Sequence, residues 1–187
     1  MAVFLDIVGS FLIGTMLVVS VMRMNADVTT RSCQRSLEYA SQSNAVAVAD
    51  MLARDLRKAG FNASGPAVIT ADSVRVRFLA DLGNNGSVDT VYYAVGEPST
   101  LADTPNPRDR HLRRKLNGSP FEEIRMGLTK MRLSYFDAEG DSLVMPVETD
   151  RVRSIRVDLE VESPVSYGDA YETARLQLVV RPRNLGA

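Results

Sequence analysis

MAVFLDIVGSFLIGTMLVVSVMRMN, residues 1–25, is the stretch on which the fold turns. Sixteen residues without a charge run from Ile7 to Met22, and Ala2 to Leu5 extend the apolar run past Asp6. About 20 such residues in a helix rise ~30 Å, the thickness of a bilayer's hydrocarbon core. Asp6 is the anomaly, because a carboxylate at the centre of a membrane helix costs about 2.5–3.5 kcal/mol on insertion scales. A secretory signal usually begins with basic residues and ends at a small-residue cleavage site. This stretch has neither feature and continues into VMRMNADVTTRSCQRS, so it is read as a retained anchor. Arg23, Arg31 and Arg35 follow the span, a weak orientation cue because long domains translocate largely regardless of charge.

Between Arg23 and Ala59 there is neither Pro nor Gly. Leu37, Ala40, Ala45, Val48, Leu52, Leu56 and Ala59 recur at steps of mainly three to five, one stripe on a 3.6-residue period. Glu38, Gln42, Asp50, Arg54, Asp55 and Arg57 fall mostly off it. Arg57, Lys58 and Gly60 make a helix C-terminus. The spacing predicts one helix over about residues 2–59, roughly 85 Å long. Its first half is apolar all round and its second half is amphipathic. The alternative is a break near MNADVTTRS, where Asn, Asp and Thr are weak helix formers.

Beyond Gly60 the period changes to two. Val74, Val76 and Phe78 alternate with Arg75 and Arg77, while Val91, Tyr93 and Val95 share a face, as do Met131, Leu133 and Tyr135. Ile155, Val157, Leu159 and Val161 alternate with Arg156, Asp158, Glu160 and Glu162. Leu176, Leu178 and Val180 form the last set before Pro182. One apolar face per strand predicts an antiparallel sheet with one wet side, and the amphipathic helix is the cover for the other. DLGNNG and DAEGD read as hairpin connections, and GEPSTLADTPNPRDRH, with three prolines, as an exposed loop. The fold class expected is α+β. Residues 1–23 form the membrane half of the helix, 24–60 its amphipathic half and 61–187 a sheet domain, with 24–187 as one folding unit.

The chain has 187 residues, and about 125 remain beyond the helix, a common size for one domain. A net charge of −1 gives no reason to propose nucleic acid as a partner. Cys33, the single cysteine, excludes an internal disulfide and is read as a small buried residue. His111, the single histidine, is read as a solvated loop or strand-edge residue with no identifiable catalytic partner. GDAYETA offers no nucleophile arrangement, and neither G-x-S-x-G nor a phosphate loop occurs, so no enzyme is expected. In DLGNNGSVD, Asp81, Asn85 and Asp89 with Gly86 partly match a calcium loop. Gly83 and Tyr92 stand where such a loop needs oxygen ligands, so a plain hairpin turn is the competing reading.

With its long half-membrane helix against an antiparallel sheet, the chain resembles type IV pilins and type II secretion pseudopilins. MLARDLRKAGF resembles the helix end of the larger minor pilins, and VRVRFLADLGNNGSVDTVYYAV their first hairpin. LRRKL, MRLSYFDAEGD and LQLVVRPRN follow in a similar order. The Gly-Phe-Thr-Leu-Ile-Glu processing sequence of that family is absent, and its acid is Glu where this chain has Asp. If Met1 is lost, AVFLD places Asp6 fifth, the family's position for the acid. The resemblance implies a structural subunit held in the inner membrane before assembly into an extracellular or periplasmic filament with other pilin subunits. It also implies that Ala2, Phe4, Asp6, Phe11 and Gly14 serve subunit assembly, with Asp6 facing a neighbour's N-terminal amine. The other class of function is a single-span envelope protein whose exported domain binds a ligand or partner without polymerising.

Overall fold

The computed structural model describes residues 1–97, 104–168 and 170–185, so part of the proline-rich loop (98–103) lies outside the described residues. One helix, α1, runs without a break from Ala2 to Arg57. The Asn/Asp/Thr segment continues it, with the hydroxyls of Thr29 and Ser36 donating to the carbonyls of Asn25 and Ser32 one turn back. The helix stops at Lys58, and the chain reverses at Gly60, whose φ of 83° suits glycine. A Cβ there would stand 2.7 Å from the Asn184 carbonyl oxygen.

Seven strands follow: β1 (Val68–Ala71), β2 (Arg75–Ala80), β3 (Asp89–Val95), β4 (Arg110–Leu116), β5 (Glu122–Phe136), β6 (Ser154–Glu162) and β7 (Thr173–Val180). They form one antiparallel sheet in chain order, each paired with its sequence neighbours. The sheet curls on itself. The Leu133 N–H on β5 donates to the Ser73 carbonyl just before β2 (2.7 Å), and the Tyr135 hydroxyl to that of Asp72 (2.9 Å). α1 lies chiefly on β7, then on β6 and β5. The core is the buried stripe Ala45, Val48, Leu52, Leu56 and Ala59 against the inward residues of β2, β3, β5 and β6.

Several expectations need correction. β1 and β4 were not anticipated as strands, and β5 is twice the length its alternation suggested. Val74 lies outside β2 and is exposed, because the chain turns there to bring Ser73 to β5. DAEGD folds the chain back to an isolated bridge between Phe136 and Ser142 and does not join two strands directly. Cys33 is exposed, although the domain reaches the helix three residues earlier, where the Tyr167 hydroxyl donates to the Thr30 hydroxyl oxygen (2.8 Å). His111 is 1% exposed within β4. A register shift between Arg110 and Leu112 turns His111 and Leu112 inward together.

Candidate functional site

The first half of α1 has the length and apolarity to cross a membrane, and none of its most apolar window is buried by the rest of the chain. Leu5, Phe4, Phe11, Met16 and Leu17 are all exposed, Phe11 at 75%. Exposure continues past the span to Met24, Val28 and Tyr39. Burial is complete for the first time at Ser41. Water does not tolerate an apolar rod of this size, so lipid or other helices must cover it.

Asp6 is exposed on this rod, and its carboxylate makes no ion pair or hydrogen bond with a described residue. At roughly 100° per residue the five residues singled out by the resemblance divide between two faces. Phe4, Phe11 and Gly14 lie together, and Asp6 stands on the other side with the position of Ala2, whose side chain lies outside the described residues. A Cβ added to Gly14 would meet nothing within 4 Å, as expected on an exposed helix. The rod thus carries Phe4, Phe11 and Gly14 on one side and the Asp6 carboxylate on the other.

At the other end of α1 a polar cluster ties helix to sheet. Tyr93 donates its hydroxyl hydrogen to Asp55 Oδ2 (2.6 Å), and Arg114 Nε donates to the same oxygen (3.0 Å) and to the Tyr93 hydroxyl oxygen (3.0 Å). Arg114 also reaches Glu122 at 3.4 Å. Burial, then the hydrogen bond and charge of Asp55, push the Tyr93 hydroxyl far above its ordinary value, against a smaller opposite pull from Arg114. Asp55 is buried, although its charge had placed it among the off-stripe residues. The acid at position 55 followed by Arg114 carries no local signature, because its partners stand 38 and 59 residues away.

The 81–89 loop is organised by its own side chains. Asp81 Oδ1 accepts the Asn85 N–H (3.1 Å), and Oδ2 accepts the Gly86 N–H (2.8 Å) and the Asn62 side-chain amide (2.9 Å). Burial pushes the Asp81 carboxyl up, but these bonds from Asn62, Gly86 and Asn85, with that of Asn84, hold it below its ordinary value. Asp89 accepts from the Leu82 N–H and Asn117, and Asn85 Oδ1 from the Ser87 N–H. The oxygens that match a calcium loop thus already accept protein N–H groups, as an Asx-rich turn requires. Among the described residues no group of three or more His, Cys, Asp or Glu is placed to hold a metal.

His111 Nδ1 lies 3.4 Å from Glu123 Oε2, and its ring edge packs over Gly96, where a Cβ would come within 2.6 Å. This is a packed histidine beneath a strand. No protein-family model matches this chain, and no curated protein matches it in sequence.

Proposed function

We propose that this chain is a non-enzymatic structural subunit of a type IV pilus-like filament, a pilin or pseudopilin that assembles through α1. It waits in the cytoplasmic membrane and then enters an extracellular or periplasmic filament of like subunits. One observation carries the reading: the exposed apolar surface of α1 does not end with the membrane-length segment but continues through Met24, Val28 and Tyr39 to the docked half. A mere anchor has no use for a stiff, partly apolar rod between membrane and domain. A bundle of such helices buries that rod along its whole length.

In this reading Asp6 meets the N-terminal ammonium of the next subunit. Two unit charges ~4 Å apart attract by about 4 kcal/mol at an effective dielectric of 20, which offsets much of the cost of holding the carboxylate in a bundle. The pairing would also fix the axial register between helices, while Phe4, Phe11 and Gly14 form the opposite contact.

The test joins the mass of the N-terminal peptide from native material to the recovery of the protein in sheared filaments. A free or methylated terminus near Asp6, with filaments lost in Asp6→Ala, supports the reading. Protein found only as single chains in the membrane fraction, and indifferent to Asp6→Ala, replaces it with an anchored binding domain.

A further inference from the structure

β5 is the longest strand of the sheet, and its edge towards β4 is not covered along its whole length. β4 makes its last pair with β5 at Arg110 and Leu128. The chain between β1 and β2 first reaches β5 where the Leu133 N–H donates to the Ser73 carbonyl (2.7 Å). Between these points, over residues 129–132, no strand among the described residues pairs with that edge. The result is a notch of about 380 Å³ in the seam of the curled sheet. Val74, Val95 and Met131 form its apolar wall, and Arg110, Lys130 and Arg132 its charged one. Among the described residues no acid lines it.

Two of these cations have no counter-charge. Across on β6, Glu160 stands opposite Lys130 and Asp158 opposite Arg132. Glu160 is held by Arg175 (2.9 Å) and Asp158 by Arg156 (3.4 Å), so neither Lys130 nor Arg132 forms an ion pair among the described residues. Asp72, beside the notch wall, pairs with Arg75 (3.0 Å). Like charges gathered beside an apolar wall make a local positive field, which an acidic and partly apolar surface complements.

Such a surface is present on the same chain, in the loop after β5. Asp137 Oδ1 accepts the Asp141 N–H (2.8 Å) and Oδ2 accepts from Arg151 (3.0 Å), which holds the turn in shape. Glu139 and Asp141 are exposed there and form no ion pair among the described residues. Val144, 83% exposed, and Met145 follow them. Loop and notch cannot meet within one molecule, because Lys130 and the end of β5 at Phe136 stand roughly 20 Å apart along the strand.

Resting on the filament reading, we propose that the loop over residues 137–145 of one subunit seats in the β5 notch of the next. Glu139 and Asp141 face Lys130 and Arg132, and Val144 lies against Val74. Two different patches meet, so the contact is head-to-tail, and its repetition builds an open helical array. Exposed ion pairs are weak singly, so α1 supplies the association and this contact fixes how neighbouring sheet domains are turned.

The experiment uses the full chain in sheared filaments, in a Cys33→Ser background that removes the exposed thiol. Val74→Cys and Val144→Cys are introduced together, oxidised mildly with copper phenanthroline and run on non-reducing gels. The double variant should give a ladder of dimers, trimers and longer species, and neither single variant should give dimers. In parallel, Lys130→Glu with Arg132→Glu should lower filament yield by about fivefold, as should Glu139→Lys with Asp141→Lys. All four changes together should restore most of it. None of these four side chains forms a hydrogen bond or ion pair among the described residues, so every variant should keep the parent's melting temperature in detergent. Filaments without a ladder, dimers from a single variant, reversed charges that assemble like the parent, or a fourfold change that restores nothing would overturn this contact alone. A parent chain that never enters filaments overturns the filament reading and the contact with it.

Discussion

The hydroxyl of Tyr93 on β3 donates to the carboxylate of Asp55 on α1 over 2.6 Å, joining the helix to a strand beyond those it mainly lies on. With Arg114 on the same carboxylate, this is a pin at the far edge of the helix–sheet contact. Removing the acid leaves the buried Tyr93 hydroxyl without its acceptor and the half-buried Arg114 guanidinium with only its longer ionic contact to Glu122. Asp55→Ala should therefore cost about 3 kcal/mol in chemical denaturation, and Tyr93→Phe about 1–2 kcal/mol.

The same pin sets the alkaline limit of stability. Tyr93, and Tyr135 at the curl of the sheet, both have hydroxyls pushed well above the ordinary value of 10.0, chiefly by burial. A group whose folded value is raised contributes stability that is complete below its unfolded value and lost as pH rises. Stability should hold to about pH 10 and fall above it. Tyr93→Phe should flatten that fall, read from denaturant midpoints across pH 9–12.

At the acid end the sign is reversed. The Asp81 carboxyl is held below 3.8 by its N–H donors, so its contribution is present above that value and disappears as pH drops further. Asp81→Asn should lower the denaturation midpoint at pH 7, and the gap to the parent chain should close towards pH 3.

Two glycines with positive φ separate backbone strain from collision. Gly86 has φ 82° and open space where a Cβ would be, whereas Gly127 has φ 67° and the Glu162 carbonyl in the way. Gly86→Ala should cost about 1 kcal/mol, and Gly127→Ala clearly more, with a lower melting temperature for the second.

The two halves of α1 should answer to different assays. Leu52 is fully buried, so Leu52→Ala should destabilise the domain by about 2–5 kcal/mol. Phe11 touches no part of the folded domain, so Phe11→Ala should leave the melting curve unchanged and weaken only association through the helix.

What was legible in the sequence follows from range. The stripe Ala45 to Ala59 and the alternation of β2, β3, β6 and β7 are local periods, visible in any short window. β4 was missed because RHLRRKL is basic at five of its seven positions, and its inward pair His111 and Leu112 is a bulge that breaks alternation. β1 has four residues, too few to show a period. Asp55 and Glu162 were assigned to wet faces by charge, yet each is buried by a partner distant in sequence. The β5 notch gathers Val74, Val95, Arg110 and residues 129–132, so it had no local signature to find.

That α1 rests most heavily on β7 has a consequence for how the chain is made. Every strand pairs with the one before it, so the sheet grows by short-range steps as residues emerge. The helix has the opposite timing: it is synthesised first, and its seat is synthesised last, on the order of 120 residues later. Until Thr173–Val180 has emerged, the stripe from Ala45 to Leu56 has no complete partner. The N-terminal half emerges well before the domain behind it has closed, and a chain cut short before β7 would keep six paired strands while its helix had lost the largest part of its seat.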